Sequence, residues 1–417
     1  MKESDMDITN PEVKALDVKV ADLYKLVGRY RNRTANKYGK EIYNRETGDL
    51  FRQLDSARPE SDFDALIIKN ARSNLRIQER VFDFLTDPSY ALSVEEFYDS
   101  IAGKGAYQHL EDRVRDGMWK LQWEQSEKRK EIEVMSIDLN MEEAKEAAKI
   151  WIPAIKEEVL EYGKKEGYLP PEFDMQVFLL PPPSGLNKSY WNSANKTLAL
   201  GICGFDIIAS GNGVRAIPIK AYRTAFHEII GHASHQVHSE GLPLSVRFTE
   251  DIGNIAATKS VTEGVAKHRE KEAFNFLSNN LGKFKIGQDD LDFQKNEREL
   301  QMQGLCERMY GCLLREKSLR EKGFDVYQHV LKVTESPEQA KEYSDYKEEF
   351  YYEGYWMLGH VLGWRHYARM EEIVRNEMGY DYIEKNKDKF NKAAATGVWS
   401  WEVYPEAVIY FLRHKSR

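Results

Sequence analysis

The first 170 residues alternate apolar and polar positions with the period of an amphipathic helix. Asn10 and Pro11 fit the N-cap and the first turn of a helix. The segment after them spaces its apolar residues three or four apart, at Val13, Leu16, Val20, Leu23 and Val27. A second such pattern runs over residues 140–168, where Asn140 is the predicted cap and Pro153 predicts a kink. We therefore predict an N-terminal helical region over residues 1–170.

The pattern changes between residues 173 and 220. Four short apolar or β-branched runs, separated by Pro, Gly, Asn and Ser, read MQVFLL, NKTLALGI, FDIIAS and VRAIPIK. Such runs are typical of strands and turns, and they predict a small antiparallel sheet. An apolar segment over 221–239 then predicts a buried helix beside this sheet, and helical patterns continue to the end. The predicted fold class is mainly α (α+β), with residues 171–417 as the second region.

Composition narrows the possible partners. The 68 acidic residues outnumber the 60 basic ones, for a net charge of -8, and there is no long Lys/Arg run. We therefore expect no nucleic-acid partner. The N-terminus lacks an apolar signal region, and no run approaches the roughly 18 apolar residues of a membrane span, so we expect a cytoplasmic protein with no membrane partner. The chain has three cysteines, Cys203, Cys306 and Cys312, and no two of them form a C-x-x-C pair. We therefore expect them to be buried or incidental thiols.

The helix at 221–239 contains the segment HEIIGH, which begins at His227 and Glu228 and ends at His232. Zinc hydrolases commonly carry H-E-x-x-H, with histidines at i and i+4 on one helix face. Here the second histidine is at i+5, where a regular α-helix would turn the two rings about 140° apart. One π-type turn would return both to nearly the same face, and Gly231 would ease it. The spacing therefore predicts a bulged helix and is compatible with a metal site.

A catalytic zinc requires three protein ligands and one open position. Glu263 is the predicted third ligand, because Gly264 after it allows close approach of another helix. Taken alone, the segment SVTEGVAKHREKEAF is also typical of a charged surface helix. Other candidates for the third ligand are Glu240, Glu250, Asp251, His235 and His238.

These two segments resemble the gluzincin zinc metallopeptidases. HEIIGH is similar to the H-E-x-x-G-H motif of dipeptidyl peptidase III. EGVAKHRE resembles the E-G-W-A-L-Y-x-E motif of the family called domain of unknown function 885, at Glu263, Gly264, Ala266 and Glu270. That family's first motif is H-E-x-x-P-G-H-H, from which this chain lacks the proline and the doubled histidine.

The C-terminal half extends the resemblance to roughly residues 220–412. YYEGYWMLGHVLGWRHYARM is similar to the family's Y-x-x-G helix, and FNKAAATGVWSWEVYPEAV resembles its closing segment. Trp356 stands where the family has its tyrosine. Tyr355, one residue earlier, either replaces that tyrosine or is a core aromatic. His360 and Arg365 on the same helix are further candidates.

The resemblance implies a zinc peptidase. His227, His232 and Glu263 would hold Zn²⁺, Glu228 would be the general base, and Tyr355 would stabilise the oxyanion. Glu270 or Asp251 would orient a ligand histidine. Short peptides are the implied substrates, with carboxypeptidase or oligopeptidase action. Three arginines are candidates to hold a substrate carboxylate: Arg223, Arg365 and Arg369.

Two other classes of function remain open from the sequence. The site could hydrolyse a non-peptide amide or ester with the same metal chemistry. Alternatively, the chain could be a catalytically inactive helical module that binds partners through its cleft.

Overall fold

The protein is mainly α-helical, as predicted, with small sheets beside the central helix. The computed structural model describes residues 7–27, 33–87, 89–116, 133–134, 141–180, 190–192, 194–201, 206–210, 213–249, 256–284, 286–347, 350 and 355–414. Before the central helix the α-helices are α1 (Pro11–Val27), α2 (Arg33–Ser56), α3 (Asp62–Thr86), α4 (Val94–Ala102), α5 (106–116) and α6 (Met141–Lys165).

The central helix, called the motif helix below, covers residues 219–239 in three continuous parts. They are α7 (Ile219–Ala225), a π-helix (Phe226–Ala233) and α8 (Ser234–Ser239). A 3₁₀ turn follows at Leu244–Val246. The later helices are α9 (Ala256–Ser278), α10 (Leu281–Phe284), α11 (Gln288–Arg320), α12 (Val326–Thr334), α13 (Pro337–Ser344), α14 (Tyr355–Met378), α15 (Tyr382–Lys385), α16 (Lys387–Ala394) and α17 (Tyr404–His414).

Strands form two three-stranded sheets within the described residues. They are β1 (Glu133–Val134), β2 (Gln176–Leu180), β3 (Tyr190–Asn192), β4 (Thr197–Gly201), β5 (Asp206–Ser210) and β6 (Gly213–Ile217). One sheet has the order β1-β5-β6 and is antiparallel. The other has the order β2-β4-β3 and is mixed, because β2 runs parallel to β4. This mixed sheet contacts the π-helix through β3, so the prediction of an antiparallel sheet beside the metal helix is wrong in that detail.

The strand that reaches the π-helix was not predicted. Residues 190–192 lie in a stretch rich in Ser, Asn and Gly, which has no clear alternation of apolar and polar positions. Pairing with β4 places this short strand, with Trp191 opposite Leu198. Its position depends on its neighbours rather than on its own propensity.

Two hydrophobic cores hold the helices together. One joins residues of α1 to α5 with residues between Leu242 and Leu412, and the other surrounds the motif helix with residues between Ile155 and Leu291. The N-terminal helices therefore share a core with the C-terminal ones. The division at residue 170 stays a prediction about folding units.

Local signals set the starts of several helices. The Asn10 side chain accepts hydrogen bonds from the backbone N–H groups of Glu12 (2.7 Å) and Val13 (3.3 Å), which confirms it as the cap of α1. Pro153 lies inside α6 as predicted, while Asn140 is outside the described residues.

The cysteines and the hydropathy of the helices can also be compared with the predictions from composition. Cys306 and Cys312 are buried thiols outside any disulfide, as predicted, and Cys203 lies outside the described residues. None of the described helices combines the length and the apolar character needed to cross a bilayer.

Candidate metal centre

The distorted helix predicted from HEIIGH is a π-helix. It runs over Phe226–Ala233, and the backbone continues as α-helix on both sides. Because a π-helical turn contains an extra residue, positions i and i+5 fall on nearly the same face. The rings of His227 and His232 accordingly lie with their centroids 4.9 Å apart. The i+5 spacing therefore brings the two histidines together.

Glycines allow three helices to approach closely at this point. A Cβ on Gly231 would lie 2.6 Å from the Cα of Ala266 in α9, closer than real Cβ contacts. A Cβ on Gly264 would lie 2.3 Å from the carbonyl oxygen of Gly363 in α14. The prediction that Gly264 permits close helix packing is confirmed. α9 is thereby held between the motif helix and α14.

This packing brings Glu263 to the two histidines. One ligand atom from each of His227, His232 and Glu263 lies within 4.8 Å of the other two, and we call these residues the triad. His227 Nε2 is 3.5 Å from Glu263 Oε2, and His232 Nε2 is 3.9 Å from Glu263 Oε1. Their side chains are only 11%, 14% and 11% exposed.

The triad fits zinc in both chemistry and spacing. Two imidazole nitrogens and one carboxylate oxygen form a donor set that catalytic zinc sites use. A tetrahedral ion with ligands about 2.1 Å away separates its ligand atoms by roughly 3.4 Å. The two histidines approach different oxygens of Glu263, at 3.5 Å for His227 and 3.9 Å for His232, and each separation is close to that spacing. Burial lowers the pKa of His232 to about 3, which keeps its ring in the neutral form that binds a metal.

The second nitrogen of His227 faces a buried carboxylate. His227 Nδ1 is 2.9 Å from Glu270 Oε1, the arrangement that fixes which ring nitrogen can bind a metal. Lys267 Nζ (2.7 Å) and Arg298 Nε (2.9 Å) hold the same carboxylate. Glu270 therefore has the position that the predicted orienting role requires, and Asp251, the other candidate, lies outside the described residues.

These contacts set the charge of His227. Burial by itself lowers the pKa of His227, but its bonds to Glu263 and Glu270 outweigh burial and raise the pKa to about 9. Burial also opposes ionisation of Glu270, yet Lys267 and His227 hold the pKa of its carboxyl well below the usual value. The carboxylate is thus charged and paired.

Glu228 lies beside the triad and is held by the sheet. The backbone N–H of Trp191 in β3 donates to Glu228 Oε2 at 3.0 Å, and the Trp191 indole donates to Gln236 Oε1 at 2.9 Å. Burial raises the pKa of Glu228 to about 7. A carboxyl with a pKa near neutrality is suited to general base catalysis. The sequence identified Glu228 but not the strand that positions it.

His360, a further candidate from the sequence, is another neighbour of the triad. It lies on α14, and its Nδ1 is 3.2 Å from Glu263 Oε2. Burial lowers its pKa to about 4. In the sequence, His360 follows Gly359 directly. In the structure, that glycine allows α14 to lie close to Glu263, because a Cβ on Gly359 would lie 2.9 Å from Glu263 Cγ.

Several other candidates are not part of the triad. Glu240 is exposed at the end of α8, His235 is buried against Phe248, and His238 Nε2 is 2.9 Å from the Tyr168 carbonyl oxygen. Glu250 and the Tyr355 side chain lie outside the described residues.

The three candidate arginines contact protein groups other than the triad. Arg223 donates to Gln301 at 3.1 Å. Arg365 donates to the carbonyl oxygens of Lys104 at 3.1 Å and Gly105 at 3.4 Å. The Arg369 guanidinium lies 5.4 Å from the centroid of the Trp401 ring. A role in holding a substrate carboxylate stays a prediction for each of them.

Comparison with known proteins leaves the family open. No protein-family model matches the chain, and no curated protein matches it. A candidate lipoprotein of known structure from Colwellia psychrerythraea is similar, with a TM-score of 0.46 and 12% identity over 92% of this chain and 70% of that chain. A likeness of this degree carries no argument about function. The functional argument therefore rests on the geometry of the site.

Proposed function

We propose that the protein is a zinc-dependent hydrolase that cleaves peptide bonds in short peptides, as a carboxypeptidase or an oligopeptidase. The observation that carries the proposal is the convergence of His227, His232 and Glu263, with their ligand atoms within 4.8 Å of one another. A π-helix is rare and occurs mainly at functional sites, so a helix distorted between two paired histidines also favours a functional role.

The triad, Glu270 and Glu228 have separate roles in this mechanism. The triad would hold the ion, and Glu270 would keep His227 Nδ1 protonated so that Nε2 is free to bind. A bound zinc ion supplies a Lewis acid for the scissile carbonyl and lowers the pKa of a water molecule. Glu228, held in position by the Trp191 N–H, would accept a proton from water and pass it to the leaving amine.

The choice of a peptide bond rests on the resemblance of HEIIGH and EGVAKHRE to gluzincin motifs. Burial of the triad supports small substrates, because side chains only 11–14% exposed are out of reach of a folded protein surface.

Metal content tests the site directly. Protein purified without added metal is expected to contain about one zinc per chain by plasma mass spectrometry. Glu263→Gln should lower that content, because an amide oxygen is a weaker ligand than a carboxylate. Glu240→Gln is the matched control, since Glu240 is exposed at the end of the motif helix and should leave zinc content unchanged. Wild-type protein without metal after incubation with Zn²⁺ would overturn the proposal.

A second variant separates binding from chemistry. Glu228→Gln keeps an oxygen that can accept from Trp191 N–H but cannot take a proton. We expect unchanged zinc content and a loss of hydrolysis of about 10²- to 10⁴-fold on a peptide library. Equal activity in this variant would contradict the role of Glu228. Stoichiometric zinc with no cleavage of any peptide by the wild type would favour the hydrolysis of another amide or ester.

A further inference from the structure

Arg269 is an arginine of α9 that is buried completely inside the protein. Its Nη1 donates to Glu272 Oε1 at 3.1 Å and to the Tyr168 hydroxyl at 3.2 Å. The guanidinium also lies over the Tyr168 ring, with 4.3 Å between Cζ and the ring centroid. The Glu272 carboxylate accepts as well from the hydroxyls of Tyr162 (3.0 Å) and Tyr168 (2.6 Å). Glu272 therefore pairs with only one corner of the guanidinium and is shared with two phenols.

The opposite edge of the same guanidinium, formed by Nε and Nη2, is buried and makes no hydrogen bond to any residue that the structure describes. This is an edge whose two N–H groups point in parallel and bind an anion in bidentate fashion. An arginine stays charged inside a protein, and a buried donor of a charged group is costly when no acceptor meets it. The unpaired edge of Arg269 therefore calls for an acceptor in the folded protein.

The neighbouring side chains of α14 do not supply that acceptor. The Tyr367 ring centroid is 6.0 Å from Arg269 Cζ. The Tyr367 hydroxyl lies near the guanidinium but makes no hydrogen bond of normal length and angle to a described residue. Glu371 is close enough for the charge of Arg269 to act on it, yet these two described residues form no ion pair. The edge and the phenol thus leave three donors unused.

An anion fits these donors better than a water molecule does. A buried water molecule typically makes about three hydrogen bonds, and it donates its own two hydrogens to acceptors. The phenol oxygen of Tyr367 can accept one of them, while the N–H groups of Arg269 can accept none. An anion accepts from all three donors and offsets the buried charge. The ion must be small, because the Arg269 side chain is only 1% exposed.

We propose that Arg269 and Tyr367 bind a small monovalent anion of the size of chloride. The N–H groups of Nε and Nη2 hold the ion from α9, and the Tyr367 hydroxyl holds it from α14. Both residues lie about one turn beyond the close contact of Gly264 with Gly363, so the ion joins the same two helices that the glycines bring together. This site is separate from the triad, and it depends neither on zinc nor on hydrolysis.

Urea unfolding at a fixed total salt concentration tests the binding of chloride. Sodium chloride replaces sodium gluconate, whose anion is too large for a buried site. An anion that binds only the folded state stabilises it by mass action, so a Kd of about 10 mM would lower the unfolding equilibrium constant about tenfold between about 10 and 200 mM chloride. Arg269→Lys keeps the charge but removes the bidentate edge, and it should reduce this factor to less than about twofold.

Two tyrosine variants give a matched comparison, which also holds if Arg269→Lys does not fold. Tyr367→Phe removes only the hydroxyl that faces the ion, and it should reduce the effect of chloride to about threefold or less. Tyr162→Phe is the control, because its hydroxyl donates to Glu272 rather than to the ion, and it should keep the wild-type dependence on chloride. Equal chloride dependence in the two tyrosine variants contradicts the proposal.

Crystals of the full chain grown in sodium bromide locate the ion, because bromide scatters anomalously. We expect an anomalous peak in contact with Nε and Nη2 of Arg269. No peak there, or density without anomalous signal as for a water molecule, overturns the proposal. A peak without any dependence of stability on chloride marks an adventitious ion only and also overturns it. A wild type that ignores chloride, with a Glu371→Gln variant that responds to it, shows that Glu371 fills the edge in solution and overturns the proposal as well.

Discussion

At the residue scale, Glu270 connects the triad to the surrounding protein. Its two oxygens contact His227, Lys267 and Arg298, so one carboxylate holds a triad histidine and is itself held by two cations. Arg298 Nη2 also donates to the Lys267 carbonyl oxygen at 3.1 Å, which ties α11 to α9. The orientation of His227 therefore depends on a residue of another helix, Glu270, which lies about two turns after Glu263 on α9.

Neutralising this carboxylate should weaken metal binding. Glu270→Gln preserves the shape of the side chain but removes the charge that orients His227, and partners of ligand histidines typically contribute 10- to 100-fold in metal affinity. We expect a loss of about that size in zinc affinity, measured by competition with a chromophoric chelator. The control is Glu272→Gln, which breaks a similar pair with Arg269 (3.1 Å) but does not contact the triad. Equal zinc affinity in both variants would contradict the role of Glu270.

At the element scale, the site depends on how closely α9 packs between two other helices. α9 makes its most extensive contacts with α14 and with the π-helix. Gly231, Gly264 and Gly363 are the positions where side chains would prevent this approach. Because Glu263 precedes Gly264 directly, any separation of α9 from α14 also moves a triad residue.

A single methyl group at this contact should be destabilising. The added Cβ in Gly264→Ala would meet the Gly363 carbonyl oxygen at 2.3 Å, and backbone there cannot move without shifting a helix. We expect a loss of about 1–3 kcal/mol in the free energy of unfolding, together with weaker zinc binding. Gly304→Ala in α11 is the control, because nothing lies within 4 Å of its Cβ. That variant should gain about 0.5–1 kcal/mol from helix propensity. Denaturant unfolding measures both, and comparable stabilities would refute the close-packing argument.

At the scale of the whole molecule, the N-terminal helices are packed into the region that holds the site. Asp17 in α1 accepts hydrogen bonds from the backbone N–H groups of Leu244 (2.8 Å) and Ser245 (2.9 Å), just after the motif helix. His366 in α14 connects three other segments. Its Nδ1 is 2.7 Å from Ser260 Oγ in α9, its Nε2 is 3.0 Å from the Ala102 carbonyl oxygen, and its ring stacks on Trp401.

This buried histidine should make the fold sensitive to acid. Burial lowers the pKa of His366 to about 4, below the value of about 6.5 in an unfolded chain. Between these values the unfolded state binds more protons than the folded state, so stability falls as the pH is lowered from about 6.5 to 4. His366→Gln should cost about 1–3 kcal/mol at pH 7 and should reduce the slope of unfolding free energy against pH in that window.

Unfolding free energies at pH 7, 5.5 and 4.5 measure that slope. His414→Gln, at the exposed end of α17, is the matched histidine control and should keep the wild-type slope. A His366→Gln variant with the same slope as the wild type would show that other groups cause the acid sensitivity.

Much of the fold was predictable because it is encoded locally. The i, i+3, i+4 spacing of apolar residues predicted α1, and the caps at Asn10 and Pro11 predicted its start. The runs between residues 173 and 220 predicted β2, β4, β5 and β6. The parallel pairing of β2 with β4 and the existence of β3 were not predictable in the same way, since pairing partners are chosen by tertiary packing.

By itself, the sequence determined that His227 and His232 share a helix with five-residue spacing, that the helix must be distorted if they act together, and that Glu263 precedes a glycine able to admit another helix. These are consequences of helical geometry and side-chain size. Only the tertiary structure decided which distant groups surround the triad: Trp191 N–H on Glu228, Glu270 on His227, and Lys259 and His360 on Glu263. The reason is physical, because these contacts require α9, α14 and β3 to pack against one helix, and that packing depends on all their apolar faces together.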